Sequence, residues 1–120
     1  MTRYMLFLAV ILSGCASMSS TRQPENLTTF TLNAGYETAF RIVDENLKKC
    51  MALDGVSSVI YPDQKRANIN IGDGVIAISM DIKENGSDSS IADFYSAFPL
   101  MRRYTGIFKG WVNEGKTGCS

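Results

Sequence analysis

Apolar residues recur at helical spacing in two separate parts of this chain. The first part, over 36–51, has apolar positions three or four residues apart, which predicts an amphipathic helix. The second begins at Pro99, a residue type suited to a helix start, and continues to position 112. Two glycines inside it, Gly106 and Gly110, are predicted to let its backbone approach a neighbouring sheet. The recurring apolar positions are Tyr36, Ala39, Phe40, Val43, Leu47, Cys50 and Met51 in the first helix and Leu100, Tyr104, Ile107, Phe108, Trp111 and Val112 in the second.

Five shorter segments have the alternation or the β-branched and aromatic content of strands. They lie at 27–32, 56–61, 67–71, 76–82 and 89–97. Turn residues, including Gly72 to Gly74 and Asn85-Gly86, separate the last three, so these strands are predicted to form an antiparallel meander. One face of the sheet is expected to carry, toward the helices, Ile69, Ile71, Ile76, Ile78, Met80 and Ile82.

The order of elements, β-α-β-β-β-β-α, predicts a two-layer α+β domain with a mainly antiparallel sheet. This order resembles those of the helix-grip and TATA-binding-protein-like folds. The resemblance is one of topology, and topology alone implies no activity.

The first residues have the layout of an export signal. Arg3 precedes the apolar run 5–12, and small residues follow before a cysteine, in the order Leu12, Ser13, Gly14, Cys15. This stretch resembles the lipobox of a bacterial lipoprotein precursor. The resemblance implies that the signal peptide 1–14 is removed and that the Cys15 thiol receives a diacylglycerol with acyl chains such as palmitate. It also implies that the protein is attached to a membrane. A plain secretory signal and a retained membrane helix are the alternatives, although the apolar run is shorter than the roughly 20 residues that span a bilayer.

The resemblance also implies a location. The residue after the lipidated cysteine is Ala16 rather than the aspartate of inner-membrane retention. The expected site is therefore the outer membrane, facing the periplasm, with a lipid anchor in a single cell membrane as the alternative. Residues 15–26, which are rich in small polar residues, are predicted to be a flexible tether, and 27–120 a single globular domain.

Cysteine usage agrees with an exported chain. With Cys15 assigned to lipid, Cys50 and Cys119 remain, and two cysteines in an oxidising compartment predict one disulfide. Two free thiols are the alternative. A redox-active pair is disfavoured because the chain has no Cys-x-x-Cys spacing.

Composition excludes several classes of function. Twelve basic and twelve acidic residues cancel, so no basic excess attracts nucleic acid. The chain has no histidine, which removes the usual general base and the commonest metal ligand. Asp81 and Asp93 are a candidate pair of catalytic carboxylates by residue type, but both fall at outward strand positions where acids usually face solvent. The loops at 72–74 and 84–88 have too few ordered oxygen ligands for calcium. No enzyme, cofactor or metal is expected.

Aromatic residues with arginine are typical of interface hot spots. Arg102 and Arg103 beside Tyr104 are therefore the predicted partner contact, with a helix–sheet core and a solvated surface as the alternative for these residues. The sequence predicts a non-enzymatic interaction or structural component of the cell envelope, held to the membrane by its lipid and contacting another envelope protein. The alternative is a carrier for a small apolar ligand in a pocket between the helices and the sheet.

Overall fold

Among the residues that the structure describes, five strands and two α-helices follow one another in the predicted order β-α-β-β-β-β-α. The structure is a computed structural model and describes residues 21–50, 55–72 and 77–119. The elements are β1 (Leu27–Leu32), α1 (Tyr36–Cys50), β2 (Val56–Tyr61), β3 (Arg66–Ile71), β4 (Ile78–Glu84), β5 (Ser90–Ser96) and α2 (Tyr104–Glu114). The predicted α+β class is confirmed.

The strands form one antiparallel sheet in the order β1-β5-β4-β3-β2. The predicted meander of β3, β4 and β5 is confirmed, and β2 extends it by pairing with β3. The first strand joins the last, because β1 pairs with β5 from Leu27 opposite Tyr95 to Leu32 opposite Ser90. Helix α1 therefore connects the two edge strands across one face of the sheet.

Both helices pack on the same face, where the strands place their apolar side chains. The predicted isoleucine face is confirmed for Ile69, Ile71, Ile78, Met80 and Ile82, all at most 7% exposed, while Ile76 lies outside the described residues. Aromatic rings continue this core into α2. The ring of Phe108 lies 5.9 Å from that of Phe94 and 5.3 Å from that of Trp111.

Side chains from the helices also reach the edges of the sheet. Asn113 of α2 accepts a hydrogen bond from the backbone N–H of Asn33 at 2.7 Å and donates to the carbonyl of Thr31 at 3.4 Å. Ser58 of β2 donates to Asp44 of α1 at 2.7 Å. The Asn113 side chain covers part of the free edge of β1 and so limits pairing of that edge with another strand.

The second helix differs from its prediction at its start. Residues Pro99–Arg103 form a 3-10 turn, and the α-helix begins only at Tyr104. Proline fixes its own φ and has no N–H, so it suits the first turn of either helix type, and its presence does not choose between them.

The predicted role of the two helix glycines is wrong. A Cβ at Gly106 would meet nothing within 4 Å, and one at Gly110 would meet Lys116 of the C-terminal tail at 3.3 Å. The tail lies against this helix because Trp111 donates its indole N–H to the Gly118 carbonyl at 2.7 Å. Gly110 thus makes room for the tail and not for the sheet.

The domain has packed structure before position 27. Thr21 is fully buried, and its carbonyl accepts a hydrogen bond from the Asn26 side chain at 2.9 Å. Residues Pro24–Asn26 form a further 3-10 turn that leads into β1. Residues 21–26, assigned to the tether from their composition, therefore lie on the domain, and Cys15 and the rest of the predicted signal and tether lie outside the described residues.

Candidate functional site on the open face of the sheet

The helices cover one face of the sheet, and polar side chains dominate the other, which we call the open face. Strand alternation places there the side chains that point away from the core. Pairing then aligns them in rows, with Asp81 of β4 directly opposite Asp93 of β5 on one side and Asn68 of β3 on the other. Like charges directly opposite each other destabilise a sheet, so this arrangement needs cations.

Arg22 supplies the cation for Asp81. Its guanidinium binds the carboxylate in a two-pronged geometry, at 2.9 Å to Oδ2 and 3.2 Å to Oδ1. Its Nε donates to Ser79 at 2.8 Å, and its guanidinium carbon lies 5.0 Å from the centre of the Tyr95 ring. Such a fork-to-fork pair fixes orientation as well as charge. Arg22 thus fastens the N-terminal segment to the open face.

Neighbouring amides complete a ring of hydrogen bonds around this pair. Asn68 donates to Asp81 Oδ1 at 3.0 Å, Asn70 donates to Asn68 at 2.9 Å, and Ser79 donates to Asn70 at 2.6 Å. Since Arg22 donates in turn to Ser79, the chain of bonds closes on itself. A satisfied polar network of this kind holds its members in one arrangement.

The second carboxylate has its own partners. Lys83 contacts Asp93 at 2.7 Å, and Thr29 of β1 donates to it at 3.0 Å. This contact raises the pKa of the Lys83 ammonium. The Asp81 and Asp93 side chains are only 16% and 17% exposed, so they are paired within the surface rather than projecting into solvent.

The pKa of Asp81 reflects two opposed effects. Burial of the carboxyl acts to raise its pKa, whereas the hydrogen bonds from Arg22 and Asn68 and the positive charges of Arg22 and Arg66 act to lower it. The cations and donors prevail, and the pKa lies below the ordinary aspartate value. Asp81 is therefore an ionised structural centre and has no sign of the raised pKa of a general acid.

A shallow cleft of about 680 Å³ lies beside this network, over β2, β3 and β4. Val59 forms an apolar part of its floor and is 44% exposed. Tyr61 lines one end, with the Arg66 guanidinium 4.3 Å from its ring centre. The cleft offers amide, hydroxyl and cationic groups together with the apolar side chain of Val59 on the edge strand β2.

The sequence did not single out Arg22, because it lies in a stretch classed as tether by composition. One signal was available: Arg22 is the only charged residue among positions 15–24. Its partner Asp81 was recognised as an outward carboxylate, but its pairing depends on a contact between residues 59 positions apart.

The three predicted partner residues differ in their contacts and in their exposure. Arg102 donates to the carbonyl of Glu25 at 3.3 Å, and the Arg103 guanidinium lies 5.3 Å from the ring centre of Tyr104. The Tyr104 ring is half-buried and packs 6.0 Å from that of Phe108. The two arginines are exposed, whereas the tyrosine belongs largely to the core.

The two predicted disulfide cysteines are joined, with Cys50 at the end of α1 bonded to Cys119 in the tail. Within 21–50, 55–72 and 77–119, no group of three or more acidic or cysteine side chains is arranged to hold a metal ion. In these same ranges, no helix has both the length and the apolar character needed to cross a bilayer.

Comparison with known proteins adds no identity to these observations. No protein-family model matches the chain, and no curated protein sequence matches it.

Proposed function

We propose that this chain is an envelope lipoprotein, anchored through Cys15 in the outer membrane and facing the periplasm, whose domain binds another envelope protein and catalyses no reaction. The lipobox-like stretch ending at Cys15 supports the anchor. Two acyl chains on one cysteine give stable membrane attachment, whereas a single chain gives only reversible binding. A lipid anchor in a single cell membrane is the alternative location.

One observation carries the interaction role: the open face holds a closed, hydrogen-bonded network around Asp81 next to a cleft of about 680 Å³. Side chains that are already ordered lose little conformational entropy when a partner binds. An ordered polar surface that also exposes the apolar Val59 has both kinds of group found in protein interfaces, which combine apolar and polar contacts. The cleft is therefore the partner surface that we favour.

The arginine pair predicted from the sequence is a weaker candidate for a protein contact. Arg102 is already hydrogen-bonded to the segment that leads to the anchor, and Tyr104 is largely engaged with Phe108. A partner protein approaching there would have to fit beside the segment that contains Glu25.

The alternative function, a carrier of apolar ligands, requires space between helices and sheet. In that layer, Leu47, Met80 and Phe108 are fully buried. Side chains packed at the usual density of a protein interior leave room for a ligand only if the helices move apart. Among the described residues, no observation favours this function over the interaction role.

Site-specific photocrosslinking in the native cells tests the proposal. A photoreactive amino acid replaces Val59 in the cleft, and the matched control carries it at Arg41, an exposed position on α1. We expect a discrete protein adduct from position 59, none from position 41, and loss of the adduct in a Cys15→Ser background. Equal labelling at both positions, or no adduct with correctly localised protein, would contradict the cleft as the interface.

A further inference from the structure

The 3-10 turn before α2, together with the residue that precedes it, exposes two large apolar side chains two positions apart. Leu100 is 80% exposed and Phe98 46%. Single exposed apolar residues are common on protein surfaces, but a pair of this size within three positions is a feature of contact sites. The other residues of the turn are Pro99, Met101, Arg102 and Arg103.

Along the chain, the segment that contains this turn carries charges of one sign only. Between Asp93 and Glu114 the sequence contains no acidic residue, and its basic residues are Arg102, Arg103 and Lys109. The two arginines occupy the last turn of the 3-10 segment and are exposed. Apolar tips flanked by arginine are the composition of segments that lie at a membrane interface, where the apolar part enters the boundary of the acyl chains and the cations meet lipid phosphates.

The turn also contacts the segment before β1, which is the described part of the chain nearest in sequence to Cys15. Arg102 donates to the carbonyl of Glu25, and the Thr21 carbonyl is tied back to Asn26. Residues 16–20 are all that separates Cys15 from Thr21, and an extended chain of that length reaches at most about 20 Å. If Cys15 is in the bilayer, the turn is held within a short distance of the lipid surface.

We propose that the Phe98–Arg103 turn is a second membrane contact, in which Phe98 and Leu100 enter the interfacial region of the leaflet that holds the anchor and Arg102 and Arg103 face anionic lipid headgroups. This inference rests on the proposed lipidation of Cys15. A lipid on a flexible chain holds a domain near a membrane without orienting it. A second contact at the turn fixes the orientation of the domain relative to the membrane. It thereby determines in which direction the open face points.

Tryptophan fluorescence in vesicles tests the contact. The full-length acylated protein is reconstituted into vesicles of phosphatidylethanolamine and phosphatidylglycerol, with or without brominated acyl chains that quench nearby indoles. The variant is Leu100→Trp, and the matched control is Asp88→Trp, an exposed position in the turn at the opposite end of the strands. The native Trp111 is 3% exposed in the domain core and provides the baseline signal.

We expect brominated lipid to quench the added emission of Leu100→Trp at least about twofold more than that of Asp88→Trp, because only an indole in the interface meets the acyl chains. Equal quenching of the two variants on an acylated protein would overturn the membrane contact and leave the anchor standing. Mass spectrometry of the purified protein separates the two ideas, since an unacylated Cys15 would overturn both. A photoreactive residue at position 100 that labels a protein in cells, instead of lipid, would also overturn the contact and make the turn a protein interface.

Discussion

Asp81 is the side chain on which the open face depends. It accepts both prongs of the Arg22 guanidinium and the amide of Asn68, and it lies opposite a second carboxylate, Asp93. Hydrogen bonds to a charged partner stabilise more than neutral ones, and removing one partner leaves the other without compensation. The carboxylate therefore links the N-terminal segment to the middle of the sheet.

We expect Asp81→Asn to lower the free energy of unfolding at pH 7 by roughly 1–3 kcal/mol, because the Arg22 guanidinium loses its charged acceptor. The pKa of Asp81 is lowered in the folded state, so its contribution is present above the ordinary aspartate pKa and is lost as the pH falls through the lower folded value. Urea unfolding of wild type and variant between neutral and strongly acidic pH measures this.

The difference in stability between the two proteins should therefore shrink on acidification. Asp88→Asn, in an exposed turn, serves as the matched control and should unfold like the wild type at neutral pH. A difference in unfolding free energy between Asp81→Asn and wild type that stayed constant down to strongly acidic pH would show that the carboxylate charge contributes nothing to stability.

At the scale of elements, α2 shows how glycine position decides its energetic role. Gly106 lies inside the helix with open space around a would-be Cβ, whereas Gly115 ends the helix with a φ of 69°. Glycine inside a helix lowers stability because its backbone loses more conformational entropy on folding than that of other residues. At a left-handed position at the end of a helix, glycine is favoured because it has no Cβ. Both glycines belong to the same helix, so the comparison isolates conformation.

We expect Gly106→Ala to raise the free energy of unfolding by about 0.5–1 kcal/mol and Gly115→Ala to lower it by about 1–2 kcal/mol. Thermal and urea unfolding of the two variants would measure both changes. A destabilising Gly106→Ala would mean that the space around position 106 is filled in the folded protein, contrary to the structure.

The periodicity of apolar residues predicts that the second helical segment is a helix, but it does not predict where the α-helix begins. The spacing from Leu100 to Val112 predicts a helix, and the structure has an α-helix over Tyr104–Glu114 preceded by the 3-10 segment Pro99–Arg103. The exposed Leu100 fits the helical repeat by spacing alone, but it points away from the core. Periodicity shows which residues are apolar. Whether an apolar residue is buried depends on the direction in which the chain leaves the preceding strand.

At the scale of the whole molecule, the disulfide connects the end of α1 to the C-terminal tail. It joins residues 69 positions apart, and the tail between α2 and Cys119 is held further by the Trp111–Gly118 hydrogen bond. A cross-link across so long a loop removes much of the freedom of the unfolded chain.

We expect the double variant Cys50→Ser/Cys119→Ser to lose about 4 kcal/mol of unfolding free energy, on the chain-entropy estimate for a loop of this length. Its Trp111 emission should shift to longer wavelength as the tail detaches. Wild type measured in reductant is the matched control and should behave like the double variant. An unchanged urea midpoint in both would show that packing alone holds the tail.

The sequence alone was sufficient for the α+β class, the order of elements, the isoleucine face and the disulfide pairing, because these follow from local periodicity and from cysteine count. It also carries the whole case for the anchor, since Cys15 lies outside the described residues. Only the tertiary structure placed β1 beside β5, brought Arg22 onto Asp81, assigned Gly110 to the tail and left Phe98 and Leu100 in the open beside Glu25. Each of these depends on contacts between distant residues, and local patterns of apolar and polar residues contain no information about which distant partners meet.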